Sequence, residues 1–124
     1  MTGRFPPVAL PDSPLAAALA EHCLAFPDAW VDYPWGDIVY KVGGKLFAIT
    51  GPNLPVWVTV KATPMDAEVL TQLPHIDAAP YIGRHGWVTV MIEDEASLDH
   101  ALFLVAESYA LVRAATSSRR RAAR

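Results

Sequence analysis

Hydrophobic and polar residues alternate in four short segments of the chain, and this alternation predicts four β-strands. The segments are rich in β-branched and aromatic residues, as strands are. They span about residues 37–42, 45–50, 56–61 and 87–92. Gly43-Gly44 lies between the first two segments and predicts a tight hairpin, because such turns need a positive φ.

The four-residue segment Trp-Val-Thr-Val occurs twice, at residues 57–60 and 87–90. Since side chains alternate between the two faces of a strand, the valines of both copies point one way and predict a core. The opposite face then holds Trp57, Lys61 and Trp87. A face of this kind is either a binding surface or a surface that another segment or partner covers.

Three helices are predicted around these strands. The first is capped by Asp12 or Ser13 and runs to about residue 25, the second spans about 64–73 after Thr63, and the third spans about 95–115. The resulting order, α-β-β-β-α-β-α, predicts an α+β two-layer sandwich. We expect a mostly antiparallel, four-stranded sheet with helices on one face.

The chain of 124 residues suits one domain. We expect a loosely ordered, proline-rich segment over 1–14, a single domain over 15–115 and a disordered basic tail over 116–124. No apolar stretch approaches a membrane span, and the N-terminus does not resemble a signal peptide. Cys23 is the only cysteine, so the sequence predicts neither a disulfide nor a secreted protein, and a cytoplasmic location is expected.

The acidic and basic residues are unevenly distributed. The net charge is −3, but residues 1–112 contain thirteen acidic and only five basic side chains, whereas the C-terminus carries Arg119, Arg120 and Arg121. An acidic body repels phosphate at long range. Strong nucleic-acid binding by the whole domain is therefore disfavoured, while a local basic patch is still possible.

The candidate binding residues are cations interleaved with aromatic side chains, a combination that suits a stacked base and its phosphate. Strand parity places Lys41 and Lys61 on the face of the two tryptophans, with Arg84 and His85 expected at its edge. The full candidate set is Trp35, Lys41, Lys45, Trp57, Lys61, Arg84, His85 and Trp87. The competing interpretation makes the lysines ordinary solvated charges and packs the tryptophans under the N-terminal segment or in a dimer interface.

Trp35 lies in the loop segment Tyr33-Pro34-Trp35-Gly36 and has two interpretations. It is either a loop-tip anchor for a partner or a residue that closes one end of the core, and we favour the core. No spacing of nucleophiles, histidines or carboxylates matches a catalytic, metal or cofactor site, so a non-enzymatic protein without cofactors is expected.

Several of these segments resemble the MmcQ/YjbR family over roughly residues 15–113. The resemblance rests on Phe26-Pro27-Asp28-Ala29, on Tyr33-Pro34-Trp35-Gly36, on the hairpin Lys41-Val42-Gly43-Gly44-Lys45-Leu46-Phe47-Ala48 and on Ser108-Tyr109. It implies a small α+β domain of the frataxin/CyaY-like fold. The family is commonly described as DNA-binding.

Two main functional hypotheses follow. The first is a weak, salt-dependent DNA-binding or regulatory module that uses Trp57, Lys61 and Trp87 together with the other cations. The second is a module that binds a protein or a small ligand on the aromatic sheet face, or that forms a homodimer there. Iron handling of the frataxin type is a minor third hypothesis, since helix one carries few carboxylates.

Overall fold

The structure is an antiparallel sheet of six strands packed against three α-helices. The computed structural model describes residues 5–80 and 82–122, with side chains through residue 116. In chain order the elements are α1 Pro14–Leu24, β1 Ala29–Asp32, β2 Ile38–Val42, β3 Lys45–Thr50, β4 Trp57–Lys61, α2 Pro64–Leu70, β5 Ile76–Ala78, β6 Trp87–Met91 and α3 Glu95–Ala122. The strands lie in the order β1-β2-β3-β4-β6-β5, and every neighbouring pair is antiparallel.

The helices cover one face of this sheet. The long helix α3 packs across β3 and β4, α1 contacts α3 and β1, and α2 contacts β5 and β6. Buried side chains of α1, α2 and α3 belong to one core cluster with those of the strands. The opposite face carries no α-helix among the described residues, and near its centre the neighbouring side chains leave Val39 and Thr59 buried.

The valines of the doubled Trp-Val-Thr-Val segment form the centre of the core, as predicted. Val58 pairs with Val90 and Val60 with Val88 across β4 and β6, and all four are almost completely buried. Residues opposite each other in an antiparallel pair share a face. Both tryptophans therefore lie on the outward face.

The predicted helix starts are confirmed by side-chain caps. The Ser13 hydroxyl accepts a hydrogen bond from the Leu15 backbone N–H at 3.2 Å, and Pro14 occupies the first turn of α1. The Thr63 hydroxyl accepts from the Asp66 N–H at 3.1 Å at the start of α2. Each cap satisfies a helix N–H that would otherwise lack a partner.

The sheet has six strands, and the expectation of four was wrong. The two additional strands, β1 and β5, are the sheet edges and have only four and three residues. Each follows a proline-containing segment and is too short for alternation to be recognised. They become strands because β2 and β6 supply backbone partners, which is a tertiary effect.

A β-bulge interrupts the centre of the sheet. Tyr40 pairs with Ala48 whereas Lys41 pairs with Leu46, so Phe47 is the extra residue on β3. Phe47 turns into the core, where its ring packs edge-on against those of Phe26 and Tyr109. The regular pairing of β3 with β4 is consequently confined to Ala48–Val60 and Ile49–Thr59.

Described residues beyond the predicted domain limits of 15 and 115 take part in the fold. The helix α3 continues to Ala122 through residues assigned above to a disordered tail, in keeping with the helix propensity of alanine and arginine. Near the N-terminus, Val8 packs against the core and Pro11 is buried. Residues 1–4, 123 and 124 of the predicted terminal segments lie outside the described residues. None of the described helices combines the length and the hydrophobicity needed to cross a bilayer.

Candidate functional site

The uncovered side of the sheet, here called the open face, carries three tryptophans. Trp30 on β1 lies opposite Lys41 on β2, Trp57 on β4 lies opposite Met91 on β6, and Lys61 lies opposite Trp87. All three indoles are half-buried. The structure thus confirms that Lys41, Trp57, Lys61 and Trp87 share one face.

The two tryptophans of the repeated segment do not form one aromatic cluster. They lie at opposite ends of the β4–β6 pair, about 13 Å apart along the strands. Between them the hydroxyls of Thr59 and Thr89 are joined by a 2.7 Å hydrogen bond. The open face therefore has two distinct ends.

The Trp57 end is apolar and tightly packed. The indole of Trp57 lies close to Gly51, where an added Cβ would come within 3.1 Å of the ring. Glycine at this position therefore leaves room for the indole. Met91 and Ile49 are half-buried on the same side of the sheet.

Lys41 is neutralised within the fold. Its ammonium nitrogen lies 3.5 Å from Asp32 Oδ2 and 5.1 Å from the centre of the Trp30 ring. The Trp30 indole N–H in turn donates to the Gly43 carbonyl at 3.1 Å. A lysine held by a carboxylate and an indole is a poor ligand for phosphate, so for Lys41 the structural interpretation is favoured.

The remaining two lysines on β3 and β4 converge with Trp87. Lys45, Lys61 and Trp87 line one cavity of about 220 Å³ at the end of the sheet, here called the lysine cavity. The other residues lining it are Leu46, Val112, Ala115 and Thr116. Three of the eight predicted site residues are therefore brought together.

The lysine cavity exists because β3 and β4 separate at this end. The bulge at Phe47 ends their regular pairing, and the hydroxyl of Ser108 on α3 lies between Phe47 and Lys61. Val112, Ala115 and Thr116 of α3 then form one wall. The hairpin packs on the same wall, since a Cβ on Gly43 would lie 3.2 Å from Thr116 Cγ2.

The charged residues that line the lysine cavity in the described part of the chain are all positive. Among the described residues that line it, two are lysines and none is a carboxylate. Ammonium groups donate charge-assisted hydrogen bonds to phosphate, and an indole offers a stacking surface for a base. This arrangement is a cationic site in a domain whose body is acidic.

Arg84 lies beside α2 and not at the edge of the open face. Arg84 and His85 form a short 3₁₀ turn, and Arg84 lines a depression beside α2 with Pro64 and Glu68. The reason is Gly86, whose φ of +92° redirects the chain immediately before β6. The predicted position of Arg84 at the edge of the open face was wrong, and that of His85 stays a prediction.

Trp35 is the most exposed large hydrophobic side chain among the described residues, at 89%. The favoured interpretation of Trp35 as a core residue was therefore wrong. Its backbone is left-handed, with φ +51° and ψ +36°, and this conformation directs the side chain outward. The Phe5 ring, 5.4 Å away between centroids, is an aromatic neighbour.

Sequence reasoning did not select Trp30 or Thr116. The four residues of β1 are too few for alternation to predict a strand, so the sequence held no clear signal for Trp30. It held no signal for Thr116 either, because this residue reaches the lysine cavity only through the packing of α3. Cys23 is buried as expected, and burial raises the pKa of its thiol to about 12, so the group stays protonated at neutral pH.

Comparison with known proteins identifies the family. The family model named YjbR matches residues 24–111, which include all six strands and most of α3. The chain belongs to the YjbR family. Among curated proteins no match is found.

Two solved structures resemble this YjbR protein. A Deinococcus radiodurans protein with a DUF419 domain has 25% sequence identity and a TM-score of 0.68, and the alignment covers 77% of this chain and 76% of that one. A Pseudomonas syringae protein has 19% identity and a TM-score of 0.62, with 77% and 97% of the two chains covered. The second likeness concerns the fold alone. The YjbR family and the α+β fold are thus established.

Proposed function

We propose that this YjbR protein is a non-enzymatic module that binds single-stranded DNA weakly through the lysine cavity. The observation that carries the proposal is the convergence of Lys45, Lys61 and Trp87 around one cavity without a described carboxylate. A volume of about 220 Å³ suits one base or one phosphate rather than a duplex. An unpaired base would stack on Trp87 while the lysines bind the flanking phosphates.

The affinity is expected to be low and to depend on salt. Two lysines that each neutralise one phosphate give a slope of log K against log salt of roughly −1.4 for a single strand. The acidic body adds long-range repulsion. Binding is therefore expected at low ionic strength and is lost as salt is added.

Fluorescence anisotropy with a labelled oligothymidine at low salt tests the proposal. Lys45→Gln/Lys61→Gln should abolish binding, and Trp87→Ala should weaken it. Lys41→Gln is the matched control, because Asp32 already neutralises this lysine. A variant with glutamine at Arg119, Arg120 and Arg121 measures the contribution of the C-terminus. Equal losses for Lys45→Gln/Lys61→Gln and Lys41→Gln, or no binding by the wild type at low salt, would contradict the proposal.

A second candidate function concerns the apolar end of the open face. Trp57 and Met91 face each other there without a covering helix, and Ile49 is also half-buried on this face. This end fits a protein partner or a second copy of the chain. Trp57→Ala should then change the oligomeric state in light scattering and leave DNA binding intact, whereas Trp87→Ala should do the reverse. The frataxin/CyaY-like detail of the fold and a cytoplasmic location stay predictions.

A further inference from the structure

Two histidines meet at the other end of β6 from the lysine cavity. His75 immediately precedes β5, and its carbonyl accepts a 2.9 Å hydrogen bond from the Met91 N–H. His100 lies on α3. Nε2 of His75 and Nδ1 of His100 are 3.2 Å apart, and both rings are half-buried.

We propose that His75 and His100 chelate a late first-row transition-metal ion, such as Cu²⁺ or Zn²⁺. Metal–imidazole bonds are about 2.0–2.1 Å long, so a metal bound to both nitrogens across a 3.2 Å gap would subtend an angle of roughly 100°. That angle is close to the tetrahedral value. A modest rotation of each ring would point both lone pairs at one position.

The surroundings of the histidine pair favour a cation. The two rings line a cavity of about 280 Å³ together with Met91, Glu93 and Asp94. No lysine or arginine is among the described residues lining it. The Asp94 carboxylate, which accepts hydrogen bonds from the Ser97 N–H and hydroxyl, adds negative charge to this cavity.

The protein supplies two strong ligands, His75 and His100, and leaves the other coordination positions of the metal open. Within the described part of the chain, no group of three or more His, Cys, Asp or Glu residues is arranged to hold a metal ion. Water or the Met91 thioether would complete the coordination sphere. We therefore expect weaker binding than at structural zinc sites, with copper ahead of zinc and with no response to the hard ions Mg²⁺ and Ca²⁺.

Sequence reasoning expected no metal site, because the two histidines are 25 positions apart and belong to different elements. The sheet brings His75 beside the start of α3, where His100 occupies the second turn. The competing explanation is a simple hydrogen bond between two neutral imidazoles, one donating and one accepting. The two explanations differ in their predictions, since only the first requires the protein to bind added metal.

Isothermal titration calorimetry of the tag-free full chain with Cu²⁺ and Zn²⁺ tests the proposal. One ion should bind per chain. His75→Ala and His100→Ala should each weaken binding by more than about 10-fold, which is the smallest loss typical of removing a mere outer-shell partner. His85→Ala is the matched control, since this exposed histidine lies in the 3₁₀ turn beside α2.

Circular dichroism checks that each variant folds, and His75→Gln and His100→Gln replace the alanine variants if either does not. Nitrogen hyperfine splitting in the Cu²⁺ electron paramagnetic resonance spectrum should disappear or simplify in the same variants. Absence of binding would overturn the proposal. Equal affinities for the wild type, His75→Ala and His100→Ala would overturn it as well.

Discussion

The hydroxyl of Ser108 donates a 2.7 Å hydrogen bond to the carbonyl oxygen of Phe47. The Ser108 hydroxyl oxygen also accepts a 2.9 Å hydrogen bond from the backbone N–H of Lys61. A side chain of α3 thus bridges β3 and β4 where the bulge at Phe47 has ended their regular pairing. This bridge holds the two strands at the separation that forms the lysine cavity.

Ser108→Ala is expected to destabilise the fold by about 1–2 kcal/mol. Ser108 is completely buried, so its loss leaves a carbonyl and an N–H without a partner, at a cost of about 1–3 kcal/mol. The better helix propensity of alanine offsets roughly 0.5 kcal/mol of that cost. Urea unfolding measures the difference. Glu107→Ala, at the exposed neighbouring position, should change stability by less than about 0.5 kcal/mol. A Ser108→Ala protein as stable as wild type would show that the bridge contributes nothing.

Gly86→Ala is expected to destabilise the fold by roughly 2 kcal/mol or more. Gly86 has a φ of +92°, and an added Cβ would lie 2.2 Å from the Ala62 carbonyl oxygen. The Gly86 carbonyl also accepts a 2.8 Å hydrogen bond from the Ala62 N–H, so the two backbones cannot separate freely. Thermal unfolding measures the loss. Gly44→Ala is the control, because a Cβ there meets no atom within 4 Å. Similar melting temperatures for the two variants would contradict this account.

Local patterns in the sequence predicted the parts of the fold that local interactions determine. The alternation in Trp57-Val58-Thr59-Val60 predicted which side chains are buried, and the Gly43-Gly44 hairpin and the Ser13 and Thr63 caps are found where expected. The edge strands were missed because their strand conformation depends on partners distant in sequence. The neutralisation of Lys41 was missed for a similar reason, since Asp32 reaches it only across the β1–β2 pair.

The candidate site was predictable only in part. Lys61 and Trp87 were assigned to one face from strand parity alone, and the structure pairs them directly across β4 and β6. The cavity itself depends on the bulge at Phe47 and on the packing of α3, neither of which leaves a periodic signal. The His75–His100 pair likewise arises from tertiary packing.

Trp35→Gly is expected to leave stability unchanged or to raise it by up to about 1 kcal/mol. The indole is 89% exposed and buries little surface, while the left-handed φ of +51° costs a non-glycine residue roughly 1–2 kcal/mol. The greater flexibility of glycine in the unfolded chain offsets part of that gain. Trp57→Ala, which removes an indole packed on Gly51, should instead lower stability by about 2 kcal/mol. Denaturant midpoints distinguish the two, and a large loss for Trp35→Gly would mean that Trp35 packs against the fold after all.

Cys23 should make the protein less stable as the solution becomes alkaline. Burial raises the pKa of its thiol from 9.0 to about 12 in the folded state. The contribution is therefore fully present below pH 9 and is lost as the pH rises from about 9 to 12, because the unfolded chain releases the proton while the folded chain keeps it. Cys23→Ala should show a shallower decline in the free energy of unfolding over that interval than the wild type. Burial of Tyr40 also raises its pKa and acts in the same direction, so part of the decline will persist in the variant.

A thiol reagent at pH 8 provides an independent check, since it should label Cys23 only after denaturant is added. Rapid labelling of the folded protein, or identical alkaline profiles for the two proteins, would refute the assignment.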